Sequence, residues 1–181
     1  MNKVKKIFLF LLILFCHIQP CFSEEKNQIL GVSADLGIIQ DLFLKHHSNQ
    51  FSLSFRYAPD SEFEFRLPLT LTNCNNQIFL DGAIFVCYYP FKIKTGLFFG
   101  ISLIHFGREI GKNNNDTNFT PLNEMAVGWN ITIPLGFFIE PVLLIRDPSG
   151  TFSDEYSSLR GSFDSYSTFR ARLNVGWKYK F

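Results

Sequence analysis

The stretch ARLNVGWKYKF constrains the fold more than any other part of the chain. From Phe169 to Phe181, every second residue is apolar or aromatic. The residues between them are Arg170, Arg172, Asn174, Gly176, Lys178 and Lys180. Successive side chains of a β-strand point to opposite faces, so this alternation predicts a two-faced strand that continues to Phe181. Most soluble domains end in a frayed polar tail instead.

The same period of two recurs along the chain, which favours an all-β fold. Together with the last strand, further alternating stretches make eight strands. These stretches are 29–37, 50–57, 62–72, 77–89, 94–106, 124–133 and 137–146. Tight turns and long polar connections alternate between these strands, and the short connection 73–76 is the exception. Outer-membrane barrels have the same arrangement, with short turns at one end and long loops at the other. We therefore expect an eight-stranded antiparallel up-and-down transmembrane β-barrel.

The first residues predict a secretory signal peptide. A basic start precedes an unbroken apolar run over 7–15, and Cys21 and Ser23 lie just ahead of a cleavage site before Glu24. The apolar run is too short for a transmembrane helix, which needs about 20 residues. We expect a signal peptide over 1–23 and a single outer-membrane barrel domain over 24–181; a lipoprotein cut before Cys21 is a weaker alternative.

The fourth strand is the noisiest, and it also bears on the cysteines. Phe79 and Phe85 fall on its polar track. Cys74 and Cys87, which remain after the expected cleavage, are placed at its opposite ends, roughly 40 Å apart at the rise of a strand. That distance is far beyond disulfide reach, so we expect two unpaired thiols.

Prolines and a doubtful register affect two other strands. Pro68 and Pro141 lie within strands, and a closed barrel has no free edge for them, so each is expected to need a bulge or a lumen-facing distortion. In the seventh strand, Val142 and Leu144 share the inward track with Glu140, which leaves a local shift of register open.

Alternation alone does not separate a membrane barrel from a soluble one, because a lipocalin-like barrel alternates too. Several strands keep a charge-free apolar track for about nine to eleven residues, the length of a tilted membrane strand. The opposite track carries Ser, Thr, Gly and Asn with isolated charges, unlike the dense Lys and Glu of a soluble surface. The pattern therefore favours the membrane barrel, and a soluble secreted barrel is the alternative.

The isolated charges are expected to pair across the lumen. An eight-stranded barrel is just wide enough for side chains to fill, and buried charges need partners where water is scarce. The predicted lumen charge network consists of Arg56, Glu62, Glu64, Arg66, Asp81, Glu124, Glu140, Arg146, Arg170 and Arg172.

Aromatic residues fall near the strand ends, as two interfacial girdles require. The group at the short-turn end is Tyr57, Tyr88, Tyr89, Trp177, Tyr179 and Phe181. The group at the loop end is Phe51, Phe106 and Phe169. Both groups agree with a barrel that crosses a membrane.

The last residues also carry a resemblance. GWKYKF, with Gly176, Tyr179 and Phe181, resembles the C-terminal assembly signal of Gram-negative outer-membrane barrels. With the signal peptide and the eight strands, the chain from 24 onward is similar to small barrels of the OmpA-transmembrane, OmpX and OmpW type. The resemblance implies an outer-membrane location, contact with outer-membrane lipid, and recognition by the assembly machinery. We expect no periplasmic peptidoglycan-binding domain after the barrel, and in this the chain departs from full-length OmpA.

Candidate catalytic and metal-binding residues are sparse. Some eight-stranded barrels modify lipid A with a His–Ser–carboxylate set, but no His here lies two residues from a Ser on one strand face. We expect His46 and His47 to be solvated loop residues and His105 to be interfacial. Asp41 with the loop histidines is too sparse for a metal site, and Asn113–Asp116 lacks the spacing of a calcium loop. We predict no enzyme activity, no cofactor and no metal.

The leading hypothesis is a structural and surface-interaction barrel, because function usually lies in the loops of a rigid scaffold. The loops around 108–123 and 147–165 are expected to reach outside and to bind host or surface ligands. The alternatives are a narrow channel for small or hydrophobic solutes and, less favoured, a lipid A-modifying enzyme. A net charge of +1 gives no reason to expect nucleic acid, and we expect a monomer.

Overall fold

The structure is a computed structural model that describes residues 28–37, 41, 48–74, 77–91, 96–110 and 119–181. Nine strands occupy Ile29–Asp35 (β1), Asn49–Ala58 (β2), Phe63–Cys74 (β3), Gln77–Tyr88 (β4), Gly96–Ile110 (β5), Thr120–Pro121 (β6), Glu124–Thr132 (β7), Phe137–Arg146 (β8) and Phe169–Lys180 (β9). A 3₁₀ turn covers Pro134–Gly136, and one α-helix, α1, covers Ser153–Ser162. Among the described residues, we find no helix that is long and apolar enough to cross a membrane.

Eight of these strands close into an antiparallel barrel, which confirms the predicted fold class. Sequence neighbours pair from β1 to β5, then β5 pairs with β7, β7 with β8 and β8 with β9. The ring closes where β1 pairs with β9, from Ile29 opposite Lys180 to Asp35 opposite Asn174. The two-residue β6 only extends the edge of β5 near the loop end. The predicted signal peptide over 1–23 lies outside the described residues.

The connections divide the barrel into two ends. We use "loop end" for the end with the β1–β2, β3–β4, β5–β7 and β8–β9 connections, and "turn end" for the opposite one. The β2–β3 connection covers only 59–62 and the β7–β8 connection only 133–136, whereas the β8–β9 connection covers 147–168. This is the predicted arrangement of short turns and long loops, with β3–β4 as the predicted short exception.

The polarity of the barrel is the inverse of that of a soluble protein. Large apolar side chains point outward along all eight strands of the wall; Leu69 and Phe55, for example, are 55% and 56% exposed. The largest fully buried side chains include two arginines, Arg146 and Arg170, each 1% exposed. An apolar exterior around a polar interior is the arrangement of a transmembrane β-barrel, and the closed sheet leaves no strand edge unpaired in hydrocarbon.

A bulge in β5 changes which residues face the lumen. Ile84 of β4 lies opposite Ile104, but the next residue, Phe85, lies opposite Ser102, so that β5 carries one extra residue, Leu103. Because of this insertion the buried side of β5 passes from the even numbers, such as Phe98, to the odd numbers, such as His105. Simple alternation could not predict that change.

The lumen also contains apolar side chains that the pattern of charges did not suggest. Phe79 and Phe85, which disturb the alternation of β4, both point inward and are buried. One apolar cluster lines the wall formed by β4, β5, β7 and β8: Ala83, Phe85, Cys87, Tyr89, Phe98, Ala126, Val142 and Leu144. The lumen therefore contains both an ion-paired network and an apolar cluster.

Neither strand proline is accompanied by a shift of register. Pro68 points toward the lumen opposite Ser54, while Pro141 is exposed on the outer face opposite Leu173, so the expected lumen-facing distortion is wrong for Pro141. Ladder pairs are missing beside each proline, between β3 and β4 and between β7 and β8, but the register is the same before and after the gap. The register of β8 is also continuous, and Glu140, like its neighbours on the inward track, is buried.

Gly176 of β9 explains how the closing strand fits the barrel. A Cβ atom at this position would lie 2.5 Å from the Phe138 ring and would overlap the Val32 carbonyl oxygen. The missing side chain lets the Phe138 ring lie against the inner face of β9, beside the closing pair of strands. The fold itself thus requires a glycine at one of the residues of the predicted assembly signal.

We expect Gly176→Ala to destabilise the barrel by about 1–3 kcal/mol, because the added methyl group overpacks the closing strand. Urea unfolding in detergent micelles, followed by Trp fluorescence, measures the effect. Gly161→Ala is the matched control, since nothing lies within 4 Å of its added Cβ atom. Equal unfolding midpoints for the two variants would contradict the packing argument.

Candidate functional site in the lumen

Nine of the predicted network residues lie in strands on the inward face of the barrel. They are Arg56, Glu64, Arg66, Asp81, Glu124, Glu140, Arg146, Arg170 and Arg172. Glu62 is the exception: it lies in the β2–β3 turn, partly exposed, because β3 begins one residue later at Phe63. The structure therefore places Glu62 at the turn end of the barrel and divides the other nine between two levels.

Glu140 is the centre of the level nearer the turn end. Arg56 forms two hydrogen bonds with its carboxylate, of 2.8 and 2.9 Å, and Arg66 forms two more, of 2.8 and 3.0 Å. The side-chain amides of Asn130 and Asn174 donate to the same carboxylate at 2.9 and 3.1 Å. We call these five residues together with Glu64 the Glu140 cluster. Its central carboxylate accepts six hydrogen bonds and is fully buried.

The remaining groups of the Glu140 cluster balance its charge. Glu64 lies 2.6 Å from Arg66 and 3.5 Å from Arg56, so that two carboxylates face two guanidinium groups. Each guanidinium also lies over an aromatic ring: that of Arg66 is 4.2 Å from the centre of Phe98, and that of Arg56 is 4.5 Å from Phe138. Paired charges and ring contacts of this kind offset the cost of removing the ions from water.

A second group of charges lies toward the loop end. Arg146 donates to Glu124 at 2.9 Å. His105 lies between two carboxylates, with Nε2 at 3.2 Å from Asp81 and Nδ1 at 3.8 Å from Glu124. Asp81 also accepts a hydrogen bond from the hydroxyl of Tyr166. We call these five residues the upper cluster.

The two arginines of β9 are paired beside the upper cluster. Arg170 binds Asp41 through two hydrogen bonds, of 2.8 and 2.9 Å. Arg172 forms an ion pair with Asp35 at 3.1 Å and also donates to Gln50 at 3.2 Å. Both arginines thus bridge β9 to the first part of the chain, across the strand pair that closes the barrel.

The β8–β9 connection covers the loop end of the lumen. It contains α1, whose Tyr156 and Leu159 are buried. Together with residues of the wall and of the β5–β7 connection, its apolar side chains form what we call the mouth cluster: Cys74, Phe79, Leu122, Tyr156, Leu159, Phe163 and Tyr166. The expectation that 147–165 simply extends outside is therefore wrong for its buried face, because the apolar residues fold back onto the mouth.

Polar contacts hold this connection in place. Arg146 donates to the Ser165 carbonyl at 2.7 Å and lies over the Tyr166 ring at 4.2 Å. The Tyr156 hydroxyl donates to the Asn123 carbonyl at 2.7 Å. Burial raises the pKa of both phenols, Tyr156 and Tyr166, so each stays protonated and can donate.

A small cavity remains at mid-height in the lumen. It has a volume of about 50 Å³, and it is bounded by Arg56, Arg66 and Arg172 on one side and by Phe85, Cys87 and Leu144 on another. A cavity of this size has room for a few water molecules and is too small for a substrate. The lumen is therefore closely packed at the level of this cavity.

His105 is buried between Asp81 and Glu124, so the expectation of an interfacial His105 is wrong; the β5 bulge turns it inward. In the described ranges, no three His, Cys, Asp or Glu side chains are grouped so that they could hold a metal ion. His46, His47 and 113–116 lie outside those ranges.

The two cysteines lie on neighbouring strands. Cys74 ends β3 in the mouth cluster, and Cys87 lies in the lumen near the turn end of β4. Both are buried free thiols. The sequence predicted that the two cysteines lie at opposite ends of the fourth strand. In the structure Cys87 does lie in β4, but Cys74 ends β3 and does not begin β4.

The aromatic residues at the turn end divide into two sets. Trp177, Tyr179 and Phe181 are exposed on the outer face and stack in series, with ring centres 6.0 and 6.4 Å apart. Tyr89 was assigned to the same girdle, but it points into the lumen, where its hydroxyl accepts a hydrogen bond from Arg66 at 3.0 Å. The outer set has the position of an interfacial girdle.

Sequence reasoning missed several partners of the network. Asp35 and Gln50 lie on the polar tracks of β1 and β2, so the alternation itself could have added them. Asp41 belongs to a long connection, where no periodicity assigns a direction to a side chain. Tyr166 follows α1 in another long connection, and its contact with Asp81 spans 85 residues of sequence.

Comparisons with known proteins add little. No protein-family model matches the chain, and no curated protein matches it. One similar solved structure is described as "De novo design of transmembrane beta-barrels". It is 10% identical in sequence, with a TM-score of 0.40, over 88% of this chain and 100% of its own.

Glu140→Gln should destabilise the protein by about 3–5 kcal/mol, because it leaves two buried guanidinium groups with one carboxylate between them. The measurement is urea unfolding in detergent micelles. Asp154→Asn, on the exposed face of α1, removes the same charge outside the lumen and should change stability by less than about 1 kcal/mol. A similar, small effect of both substitutions would show that Glu140 is not the centre of the network.

Proposed function

We propose that this chain is an integral outer-membrane β-barrel protein of a diderm bacterium, with a structural and surface-exposed role and a lumen closed to solutes. The observation that carries the proposal is the Glu140 cluster, which places a neutral set of interlocked charges across the lumen of a barrel whose exterior is apolar. Such a barrel is suited to anchoring surface segments in a membrane.

Two features support a closed lumen. In the Glu140 cluster, arginines from β2 and β3 bind one carboxylate of β8, so their side chains cross the lumen. At the loop end, the mouth cluster forms a second, apolar layer. A conducting pathway would have to separate buried ion pairs at the first layer, and breaking a buried pair costs several kcal/mol. The narrow-channel alternative has correspondingly less support.

The outer face of the β8–β9 connection supports the surface role. Asp154, Ser157, Ser158 and Arg160 of α1 are exposed, while the opposite face of the helix is buried. A polar surface held on a rigid barrel is the usual place for contacts with ligands. The other predicted binding loop, 108–123, is described only at 108–110 and from Phe119 onward, and in its second part Leu122 belongs to the mouth cluster.

The outer-membrane location rests on features of the chain that no comparison tests. They are the predicted signal peptide over 1–23 and the resemblance of Gly176, Tyr179 and Phe181 to an assembly signal. The exposed stack of Trp177, Tyr179 and Phe181 adds an aromatic belt at the turn end, as expected at a membrane interface.

We expect the full chain to be recovered in the outer-membrane fraction with heat-modifiable gel mobility, and to insert into planar bilayers without discrete openings. The physical reason is that a conducting path would have to separate the ion pairs of the Glu140 cluster and pass the mouth cluster. Reproducible openings of one conductance would contradict the closed lumen. Recovery in the soluble periplasm would contradict the membrane proposal as a whole.

Deletion of Phe181 tests the proposed role of the tail in assembly. Its ring is 45% exposed and stacks on Tyr179, and its backbone N–H donates to the Gln28 carbonyl at 3.0 Å, so its loss removes one ring contact and one hydrogen bond at the end of the closing strand. We expect the amount inserted in cells to fall several-fold, while refolding of the purified chain into detergent stays unchanged. Phe181→Tyr keeps an aromatic residue and serves as the control. Unchanged insertion of the deletion variant would show that Phe181 is only the end of a strand.

A further inference from the structure

The β8–β9 connection has an interior of its own. The mouth cluster and the apolar cluster at mid-lumen share no residue. The charged side chains of the upper cluster, such as His105 and Asp81, extend into the lumen from the strands of the wall. The buried apolar residues of the connection, Tyr156, Leu159, Phe163 and Tyr166, belong to the mouth cluster, and Phe152 packs against it. The connection therefore packs on the barrel as a separate unit.

The helix in this unit depends on that packing. Its sequence, SDEYSSLRGS, contains four serines and one glycine, which are weaker helix formers than alanine or leucine. Phe152 at its N-terminus provides no side-chain cap. A ten-residue helix of this composition is not stable alone in water, so Tyr156 and Leu159 must hold it by their burial.

The barrel, in contrast, does not depend on the helix. Hydrogen-bonded pairing closes all eight strands without any residue of 147–168. The polar contacts of the unit include those of the Tyr166 hydroxyl with Asp81, of the Tyr156 hydroxyl with Asn123, of the Ser165 carbonyl with Arg146 and Arg170, and of Ser48 with Asp164 and Ser165. None of them belongs to the ladders that close the barrel, and a unit that the rest of the fold does not need can open at lower free energy than the whole protein unfolds.

We propose that Phe152–Tyr166 is a lid, which opens from the mouth while the barrel stays folded. Opening exposes Cys74, Phe79 and Leu122 at the loop end, and it leaves the Glu140 cluster intact below. The lid thus controls access to an apolar recess in the mouth and does not open a pore. The proposal requires only the closed barrel, and it holds whether or not the proposed outer-membrane location is correct.

The two native thiols make the proposal testable in the full chain. Cys74 lies under the lid, and Cys87 lies in the mid-lumen cluster, away from it. The chain is folded in detergent micelles and treated with a water-soluble maleimide, and mass spectrometry of proteolytic peptides follows each cysteine separately. Modification of Cys74 reports opening of the lid, and modification of Cys87 reports unfolding of the barrel.

We expect Cys74 to react at least about tenfold faster than Cys87 in the parent protein. Leu159→Ala should speed the reaction of Cys74 by a further factor of about ten or more, because it removes packing that holds the lid. The reaction of Cys87 and the gel mobility of the folded barrel should not change. Ser158→Ala, on the exposed face of the same helix, is the control and should leave both rates unchanged.

Tyr166→Phe provides a gentler second variant, since it removes only the hydroxyl that donates to Asp81. It should raise the rate of maleimide modification of Cys74 less than Leu159→Ala does, and it should leave the rate for Cys87 unchanged. Equal rates for Cys74 and Cys87 in the parent would overturn the proposal, because both would then report global unfolding. A Cys74 rate that neither substitution raises would overturn it as well.

Discussion

The pairing of β1 with β9 is the interaction on which the rest of the structure depends. A strand in hydrocarbon cannot leave its backbone groups unpaired, so a sheet with an apolar exterior must close on itself. Here the closing ladder extends from Ile29 opposite Lys180 to Asp35 opposite Asn174. The regular alternation of β9 follows from this position, because one strand must present an apolar face to lipid and a polar face to the lumen over its whole length.

Closure with only eight strands leads directly to the charge network. The lumen is so narrow that arginines from β2 and β3 reach a carboxylate on β8, and Glu140 binds both of them. In a wider barrel the same charges would be hydrated and independent. The apolar cluster has the same origin, since Phe85 and Phe98 fill the narrow lumen beside the ion pairs, and the Phe98 ring lies against the Arg66 guanidinium. The small diameter of the barrel therefore accounts for both the charge pairing and the apolar packing in its lumen.

Sequence alone predicted the parts of the structure that depend on local alternation. The strands, the two ends and the inward direction of nine charged residues follow from a period of two. The errors occur where a residue count or a distant contact decides the direction: Leu103 is one extra residue in β5, and it turns His105 from the interface into the lumen. The lid was missed for a different reason, since its helix has a polar composition and depends on distant contacts such as that of the Tyr156 hydroxyl with the Asn123 carbonyl, 33 residues earlier. Tyr166, which follows the helix, contacts Asp81, 85 residues earlier.

The lid and the network meet at Arg146, and this contact couples the surface of the protein to its interior. One guanidinium group donates to Glu124 in the wall and to the Ser165 carbonyl in the connection, and it lies over the Tyr166 ring. Glu124 must stay paired whether the connection is docked or not, because a lone buried carboxylate costs more than the docking contacts return. The ion pair of Arg146 with Glu124 is therefore kept whether or not the connection is docked, and the contact of Arg146 with the Ser165 carbonyl is added when the connection docks. This order explains how residues on the outer face of α1 can change without disturbing the charge network, whereas Tyr166 cannot change without affecting Asp81 and, through it, His105.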